Sequence, residues 1–218
     1  MRPSLEQIEQ LRSEGNVIPV YKSVVADFLT PVSAFLKIQE DRPYAFLLES
    51  IEGGEMLARY SFLGSDPFLV CSIGSKGPDT NTKEKHHLHF SPDNREGFFQ
   101  ALRNTMNRFK SVRLPDLPPF TGGAVGYFGY EMVRLVEDIP STGTDDLEVD
   151  DAALMFFKTV LAFDHIRNQI HIVSNLFVEE TDRPLEALYN EAITEIKAIE
   201  ELLRQPLDPP VSRHIQDK

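Results

Sequence analysis

A carboxylate and a hydroxyl lie side by side at Glu49 and Ser50, directly after two leucines. Side chains alternate between the two faces of a strand, so Leu48 and Ser50 share one face while Leu47 and Glu49 share the other. A hydroxyl at a strand end, on the same face as a leucine, has two explanations. It bonds to its own backbone, or it is one polar contact in an otherwise apolar pocket. The spacing alone favours the first explanation.

Three histidines, His86, His87 and His89, lie close enough in sequence to suggest a metal site. Alternation along a strand places His87 and His89 on one face and His86 on the other. The run contains no cysteine or carboxylate that would complete a set of ligands. We therefore interpret it as a solvated edge strand.

Three further features each lack a part that their chemistry requires. The acidic segment 145–151 lacks the spacing and the central glycine of a calcium loop, so it is interpreted as a solvated loop. The glycine-rich segment Gly122–Gly129 lacks the order of a phosphate-binding loop, and glycines between bulky aromatic residues are more typical of close backbone packing or a bulge. Cys71 lies in an apolar strand without a recognisable catalytic partner. No catalytic residue and no metal ligand is predicted.

Composition narrows the class of protein. The 218 residues are 41% apolar and 26% charged, which is typical of a globular chain that can bury a core. Lys and Arg number 22 against 34 Asp and Glu, and the net charge of -12 makes nucleic acid an unfavourable partner. A single cysteine fits a reducing compartment, and the sequence shows no signal peptide and no run of membrane-spanning length. A cytoplasmic protein is expected.

The periodicity of the first half predicts a helix, a strand, a second helix and three strands. Ser4 and Gln7 form a capping box, and Thr30 with Pro31 starts the second helix. The three strands after the second helix are expected to form one antiparallel meander, with a turn at 52–55.

The second half contributes a short strand at the histidines and a helix from Asp93 to about Phe109. The runs 153–165 and 169–178 form the clearest hairpin of the chain, and Thr181 is expected to cap the last helix. The order of the elements predicts the α+β class, with a large, mostly antiparallel sheet and flanking helices.

The stretch FLLESIEGGEMLARYSFLGSDP, residues 46–67, is preceded by LTPVSAFLKI and followed by PPFTGGAVGYFGYEMVR. Together these segments closely resemble the N-terminal region of the anthranilate synthase large subunits, component I, within the chorismate-utilising enzymes. The similar large subunit of aminodeoxychorismate synthase, in folate biosynthesis, shares the pattern more loosely. A stand-alone amino-acid-binding module is the alternative from a different class.

The resemblance implies feedback inhibition by L-tryptophan, with the Leu-Leu-Glu-Ser strand forming part of the inhibitor's pocket. Carried over, it places Ser50 at the polar end of the amino acid, with Glu49 beside it. On this basis ligand contact becomes the favoured explanation for Ser50.

The resemblance also implies a domain organisation. Residues 1–205 correspond to the regulatory domain and 206–218 to a linker. The family's chorismate-binding catalytic domain, with its Mg²⁺ site, is expected beyond that linker, and a glutamine amidotransferase subunit is the implied partner. The 218 residues alone are expected to be inactive.

Overall fold

Two helices begin at the caps that the sequence predicts. Ser4 accepts a hydrogen bond from the backbone N–H of Gln7, and the Gln7 side chain accepts one from the backbone N–H of Ser4. Thr30 caps the second helix, and Pro31 occupies its first position, where a missing N–H costs nothing. Local sequence chemistry therefore fixes where both helices start.

The structure, a computed structural model, describes residues 1–49, 59–75, 87–135, 137, 139–140, 149–179 and 183–207. The helices in these ranges are α1 Leu5–Leu11, α2 Pro31–Ile38, α3 Arg95–Arg108 and α4 Leu185–Arg204. The strands are β1 Val17–Val25, β2 Ala45–Leu48, β3 Tyr60–Ser65, β4 Leu69–Ile73, β5 His87–Phe90, β6 Gly123–Phe128, β7 Ala152–Phe157, β8 Thr159–Asp164 and β9 Gln169–Phe177. The turn predicted at 52–55 lies outside the described residues.

The strands form two sheets. The five strands of sheet A have the order β1-β9-β8-β3-β2, and every neighbouring pair is antiparallel. The four strands of sheet B have the order β5-β4-β7-β6, and only the β4–β5 pair is parallel. The predicted α+β class with a mostly antiparallel sheet is confirmed.

The predicted meander is wrong in its third strand. Strands β2 and β3 pair antiparallel as expected, but β4 belongs to sheet B. Strand β1 pairs with β9. The run predicted as one strand over 153–165 divides at Lys158, where the chain passes from sheet B to sheet A. The hairpin between β8 and β9 is confirmed. Pro184 occupies the N-cap position of α4, where Thr181 was expected. Thr181 itself lies outside the described residues.

One face of sheet A packs against helices, and this is the largest core. Buried residues from α1, α2 and α4 meet buried residues from β1, β3, β8 and β9 here. A polar contact fixes α4 on the sheet, because the hydroxyls of Thr159 and Ser174 donate to the carboxylate of Glu195 over 2.6 and 2.9 Å. The opposite face packs against sheet B, where Val160 and Val173 meet Phe157.

Candidate functional site

On the face of sheet A that points away from the helices, Phe46 and Phe62 pack with Phe157 of sheet B and with Phe120, which precedes β6. These four rings are here called the aromatic face. The ring centroids of Phe46 and Phe157 are 4.7 Å apart, and those of Phe62 and Phe120 are 5.4 Å apart. Both pairs have edge-to-face geometry, the arrangement that aromatic quadrupoles favour. Phe46 and Phe157 are buried, whereas Phe62 and Phe120 are only partly covered. The aromatic face therefore offers partly open ring surface at one end.

Strand β2 ends opposite Phe62, one of the partly covered rings. Leu48, the last paired residue of β2, is opposite Phe62 in β3 and is 50% exposed. Glu49 follows it and is exposed. Ser50, the other residue predicted for the site, lies outside the described residues. Continuing the alternation of β2 places Glu49 on the face of Leu47, opposite to Phe46 and Leu48. The assignment of Glu49 and Ser50 to one site stays a prediction.

An ion pair lies at the start of the neighbouring strand. Arg59 donates from Nε and Nη2 to the two carboxylate oxygens of Asp164 over 3.2 and 2.7 Å. The side chain of Asp164 is 1% exposed and also accepts the backbone N–H groups of Ile166 and Arg167. The guanidinium carbon of Arg59 lies 4.8 Å from the ring centroid of Tyr60, within the range of a cation–π contact. The guanidinium is therefore held in one geometry.

The pKa of Asp164 reflects these contacts. Burial by itself raises the pKa of this carboxyl, but the hydrogen bonds from Arg59 and from the two backbone N–H groups outweigh burial and lower it. The carboxylate is therefore charged at neutral pH. Burial and the charge of Asp164 raise the pKa of the Tyr60 hydroxyl, so this phenol stays neutral.

Sequence reasoning missed Asp164 and the three rings Tyr60, Phe62 and Phe120. Asp164 ends the apolar run of β8, and a charge that ends an apolar run is the signal that could have drawn attention to it. Its pairing with Arg59 spans 105 positions. That separation is set by the pairing of β3 with β8, which local patterns do not reveal.

The arrangement suits binding better than catalysis. Partly open aromatic surface, an exposed carboxylate and a fixed guanidinium lie at the ends of adjacent strands, and the combination fits a ligand with an apolar ring and charged groups. Cys71 does not supply a nucleophile, because burial raises the pKa of its thiol to about 11 and keeps it protonated.

The glycine-rich segment packs closely, as the sequence analysis favours. It forms strand β6 at the edge of sheet B, and a Cβ atom on Gly126 would lie 1.9 Å from the carbonyl oxygen of Ala153 in β7. Gly122 has a φ of +147°, and a Cβ there would lie 2.5 Å from the amide nitrogen of Asn175. These glycines allow close contact between strands.

The histidine strand forms a hydrogen-bonded group. The buried hydroxyl of Ser72 lies 2.9 Å from Nε2 of His87 and 2.9 Å from Nδ1 of His89, so both rings are on one face as predicted. His86 lies outside the described residues, as does most of the acidic segment. Within the described ranges no three His, Cys, Asp or Glu side chains are arranged to hold a metal ion.

Residues 63–217 match the family model described as "chorismate binding enzyme". This match covers more than half of the chain, so the chain belongs to the chorismate-binding enzyme family. It also includes much of the region that the sequence analysis assigns to a regulatory domain, and the proposed boundary at residue 205 stays a prediction.

Curated relatives of this chain are named anthranilate synthase component 1. The chain is 38% identical over 197 residues to anthranilate synthase component 1 of Acetivibrio thermocellus, covering 90% of this chain and 38% of that protein. It is 34% identical over 208 residues to the Synechocystis protein of the same name, covering 95% of this chain and 40% of that protein. The chain thus spans about two fifths of the length of these curated relatives.

Two further findings complete the comparison. The crystal structure of anthranilate synthase component I from Streptococcus pneumoniae is similar over 84% of this chain and 37% of that chain, with 20% identity and a TM-score of 0.49. None of the described helices is both long and apolar enough to cross a lipid bilayer.

Proposed function

We propose that this chain is the N-terminal, tryptophan-sensing part of an anthranilate synthase component I. The relatives of this chain are named anthranilate synthase component 1, which supports the assignment to this enzyme. One structural observation supports the tryptophan-sensing role. Phe62, a partly covered ring, lies opposite the last residue of β2, and the Arg59–Asp164 pair lies at the start of β3, so apolar ring surface and charged groups occur near the ends of these two strands.

In this proposal the indole ring of tryptophan packs against the partly covered rings of Phe62 and Phe120. The carboxylate of Glu49 accepts the ammonium group, and Ser50 supplies one hydroxyl to the same polar end. Arg59, held by Asp164, provides positive charge near the ligand's carboxylate. An aromatic zwitterion offers charged partners to Glu49 and to the Ser50 hydroxyl, which a purely apolar ligand does not.

The proposed parent enzyme converts chorismate and ammonia or glutamine into anthranilate and pyruvate. A glutamine amidotransferase subunit would supply the ammonia, and Mg²⁺ would bind in the chorismate-binding catalytic domain. The described residues of this chain do not fit a Mg²⁺ site, because they contain no suitable group of carboxylates or histidines. We therefore assign no step of the reaction to Mg²⁺ in this chain.

The identity of the product tests the proposal for the parent enzyme. The full coding region that contains this sequence is expressed and incubated with chorismate, ammonia and Mg²⁺. Formation of fluorescent anthranilate is expected, while formation of aminodeoxychorismate would assign the chain to the folate enzyme. If the reading frame encodes only these residues and no product forms, a stand-alone binding module becomes the better explanation. The 218-residue chain by itself is expected to make no anthranilate.

A further inference from the structure

A cavity of about 420 Å³ lies on strands β1 and β9, on the face of sheet A that points away from the helices. Tyr21 and Ser23 of β1 and His171 of β9 line it. The register of the sheet places His171 three strands away from Leu48 at the end of β2. At about 4.8 Å per strand this separation is about 14 Å, so the cavity is distinct from the proposed tryptophan site.

Two buried side chains bring polar atoms without protein partners to this cavity. Tyr21 is 6% exposed and His171 is 3% exposed. Nδ1 of His171 lies 2.9 Å from the hydroxyl of Ser23, whereas its Nε2 and the Tyr21 hydroxyl have no hydrogen-bond partner among the described residues. Burial lowers the pKa of His171, so the ring is neutral near pH 7 and supplies no charge to a ligand. This inner end of the cavity therefore favours hydroxyl groups, which both donate and accept hydrogen bonds.

Two arginines line the rim of the cavity, and the backbone of each is held in place. Arg2 exchanges backbone hydrogen bonds of 3.0 and 2.8 Å with Tyr21, which fix the N-terminal segment beside β1. The backbone N–H of Arg167 donates to Oδ1 of the buried Asp164 over 3.1 Å. The two guanidinium groups are thus carried at set positions, one at the edge of β1 and one in the turn between β8 and β9.

The charged side chains around the cavity leave one cation unpaired. Arg2 lies 3.9 Å from Asp116, near the outer limit of an ion pair. Lys22 also lines the cavity, but its Nζ pairs with Glu200 of α4. Arg167 makes no ion pair with any side chain in the described ranges. In a chain with a net charge of -12, an unpaired guanidinium beside a cavity favours a ligand with one negative charge, and its fork of N–H donors matches a carboxylate.

We propose that this cavity binds a small sugar acid, a polyhydroxylated molecule with one carboxylate. The carboxylate contacts Arg167 at the rim, and the hydroxyl groups reach Tyr21 and His171 inside. Ser23 and Gln169 add further polar groups, and none of the described residues that line the cavity is Leu, Ile, Val or Phe. An acid with an apolar chain leaves the inner polar atoms without partners. This inference does not depend on the proposed tryptophan site, which lies on β2 and β3.

Isothermal titration calorimetry of the wild-type chain with sodium D-gluconate tests the proposal, and saturable binding is expected. Two further six-carbon probes separate the contributions of the charge and of the hydroxyl groups. D-Sorbitol keeps the hydroxyl groups and lacks the charge, whereas hexanoate keeps the carboxylate and lacks the hydroxyl groups. Each should bind about fivefold more weakly than gluconate, or weaker still. The absence of saturable gluconate binding, or equal affinity for gluconate and either probe, would overturn the proposal without the use of any variant.

Two variants then locate the binding. Arg167→Gln is expected to weaken gluconate binding about fivefold, while Arg103→Gln, the same change at an exposed position of α3, should leave it unchanged. Tyr21→Phe removes only a hydroxyl and should also weaken binding about fivefold, whereas Tyr130→Phe, at an exposed tyrosine after β6, should not. Circular dichroism confirms that each variant is folded. Undiminished binding by folded Arg167→Gln or Tyr21→Phe, or displacement of gluconate by L-tryptophan, places gluconate elsewhere and contradicts the proposal.

Discussion

At the scale of single residues, the proposed tryptophan site depends on the Ser50 hydroxyl and on the Arg59–Asp164 ion pair. The hydroxyl can be recognised from the sequence, whereas the ion pair can be recognised only from the structure. Ser50 and Glu49 stand together in the sequence, and their motif drew attention to them. Asp164 is remote in sequence and becomes recognisable only when β3 pairs with β8. The residues proposed to contact a ligand can thus be named from a local motif, whereas the Arg59–Asp164 pair depends on tertiary structure.

Replacing Ser50 by alanine should weaken inhibition without affecting catalysis. A lost hydrogen bond to a charged group in a buried site costs about 1.5 to 3 kcal/mol, which corresponds to roughly tenfold to hundredfold weaker inhibition. In the full-length enzyme, the tryptophan concentration for half-inhibition should rise by that factor while kcat and the KM for chorismate stay nearly constant. Replacement by Phe should abolish inhibition by filling the pocket.

Ser61→Ala provides the contrast. Its buried hydroxyl lies 2.8 Å from Nε2 of His165, so this change should lower the melting temperature and leave inhibition unaltered. If Ser50→Ala behaves in the same way, its hydroxyl bonds to the backbone and Ser50 is withdrawn from the site.

The Arg59–Asp164 pair should make stability depend on pH. The folded protein lowers the pKa of Asp164, so its stabilising effect is present above the ordinary pKa of about 4 and is lost as the pH falls through the lowered value. Asp164→Asn should therefore cost about 2 kcal/mol of unfolding free energy near neutral pH and progressively less in acid. Urea unfolding at several pH values measures this difference.

Asp66→Asn is the matched control for this prediction. Asp66 pairs with Arg42 on the surface, and its side chain is 68% exposed. Exposed ion pairs contribute little, so the loss should stay below about 1 kcal/mol. A cost for Asp164→Asn that is equally small, or that does not vary with pH, would contradict the role given to the buried carboxylate.

At the scale of elements, helix starts were predictable and strand partners were not. Ser4 and Thr30 determine caps through contacts three residues away, and both predictions are confirmed. Lys158 divides an apolar run into strands of two different sheets, and no turn residue marks that point. The pairing of β1 with β9 joins strands that lie far apart in the sequence. Such pairings follow from which faces must be buried together, which a single sequence does not specify.

Lys37 should hold the end of helix α4. Its side chain is 8% exposed, and Nζ donates to the carbonyl oxygens of Leu203 and Gln205 over 2.6 Å each. A cation at a helix C-terminus also interacts favourably with the helix dipole. Lys37→Met should cost about 1 to 3 kcal/mol and increase hydrogen exchange in the last turn of α4.

Lys197→Met is the matched control, because Lys197 is an exposed residue of α4. It distinguishes the loss of the Lys37 contacts from a general effect of removing one positive charge. It should leave both stability and exchange nearly unchanged, because Lys197 lies on the solvent side of α4. Equal exchange in the last turn for the two variants would show that the Lys37 contacts do not stabilise the helix end.

At the scale of the whole molecule, an apolar surface beside sheet B predicts association. Tyr127, Phe128 and Tyr130 are 43%, 53% and 82% exposed, and they lie in or directly after the edge strand β6. Exposed apolar patches on edge strands favour contacts with other chains. Sedimentation of the 218-residue chain should therefore show association that increases with concentration, and Phe128→Lys should reduce it.

Phe28→Lys is the control for this surface. Phe28 is 99% exposed but lies in the segment between β1 and α2, away from β6, so its replacement should leave association unchanged. A strictly monomeric wild-type chain that binds no hydrophobic dye would count against an interaction surface at β6.

The central claim is that this chain senses tryptophan, and inhibition of the full-length enzyme tests it most directly. Anthranilate formation from chorismate and ammonia is measured while L-tryptophan is titrated, with D-tryptophan as the stereochemical control. We predict that L-tryptophan inhibits to saturation and that Glu49→Gln, which removes the partner of the ammonium group, shifts the curve to higher concentration without lowering the uninhibited rate. A fully active enzyme whose rate does not respond to L-tryptophan would contradict the claim.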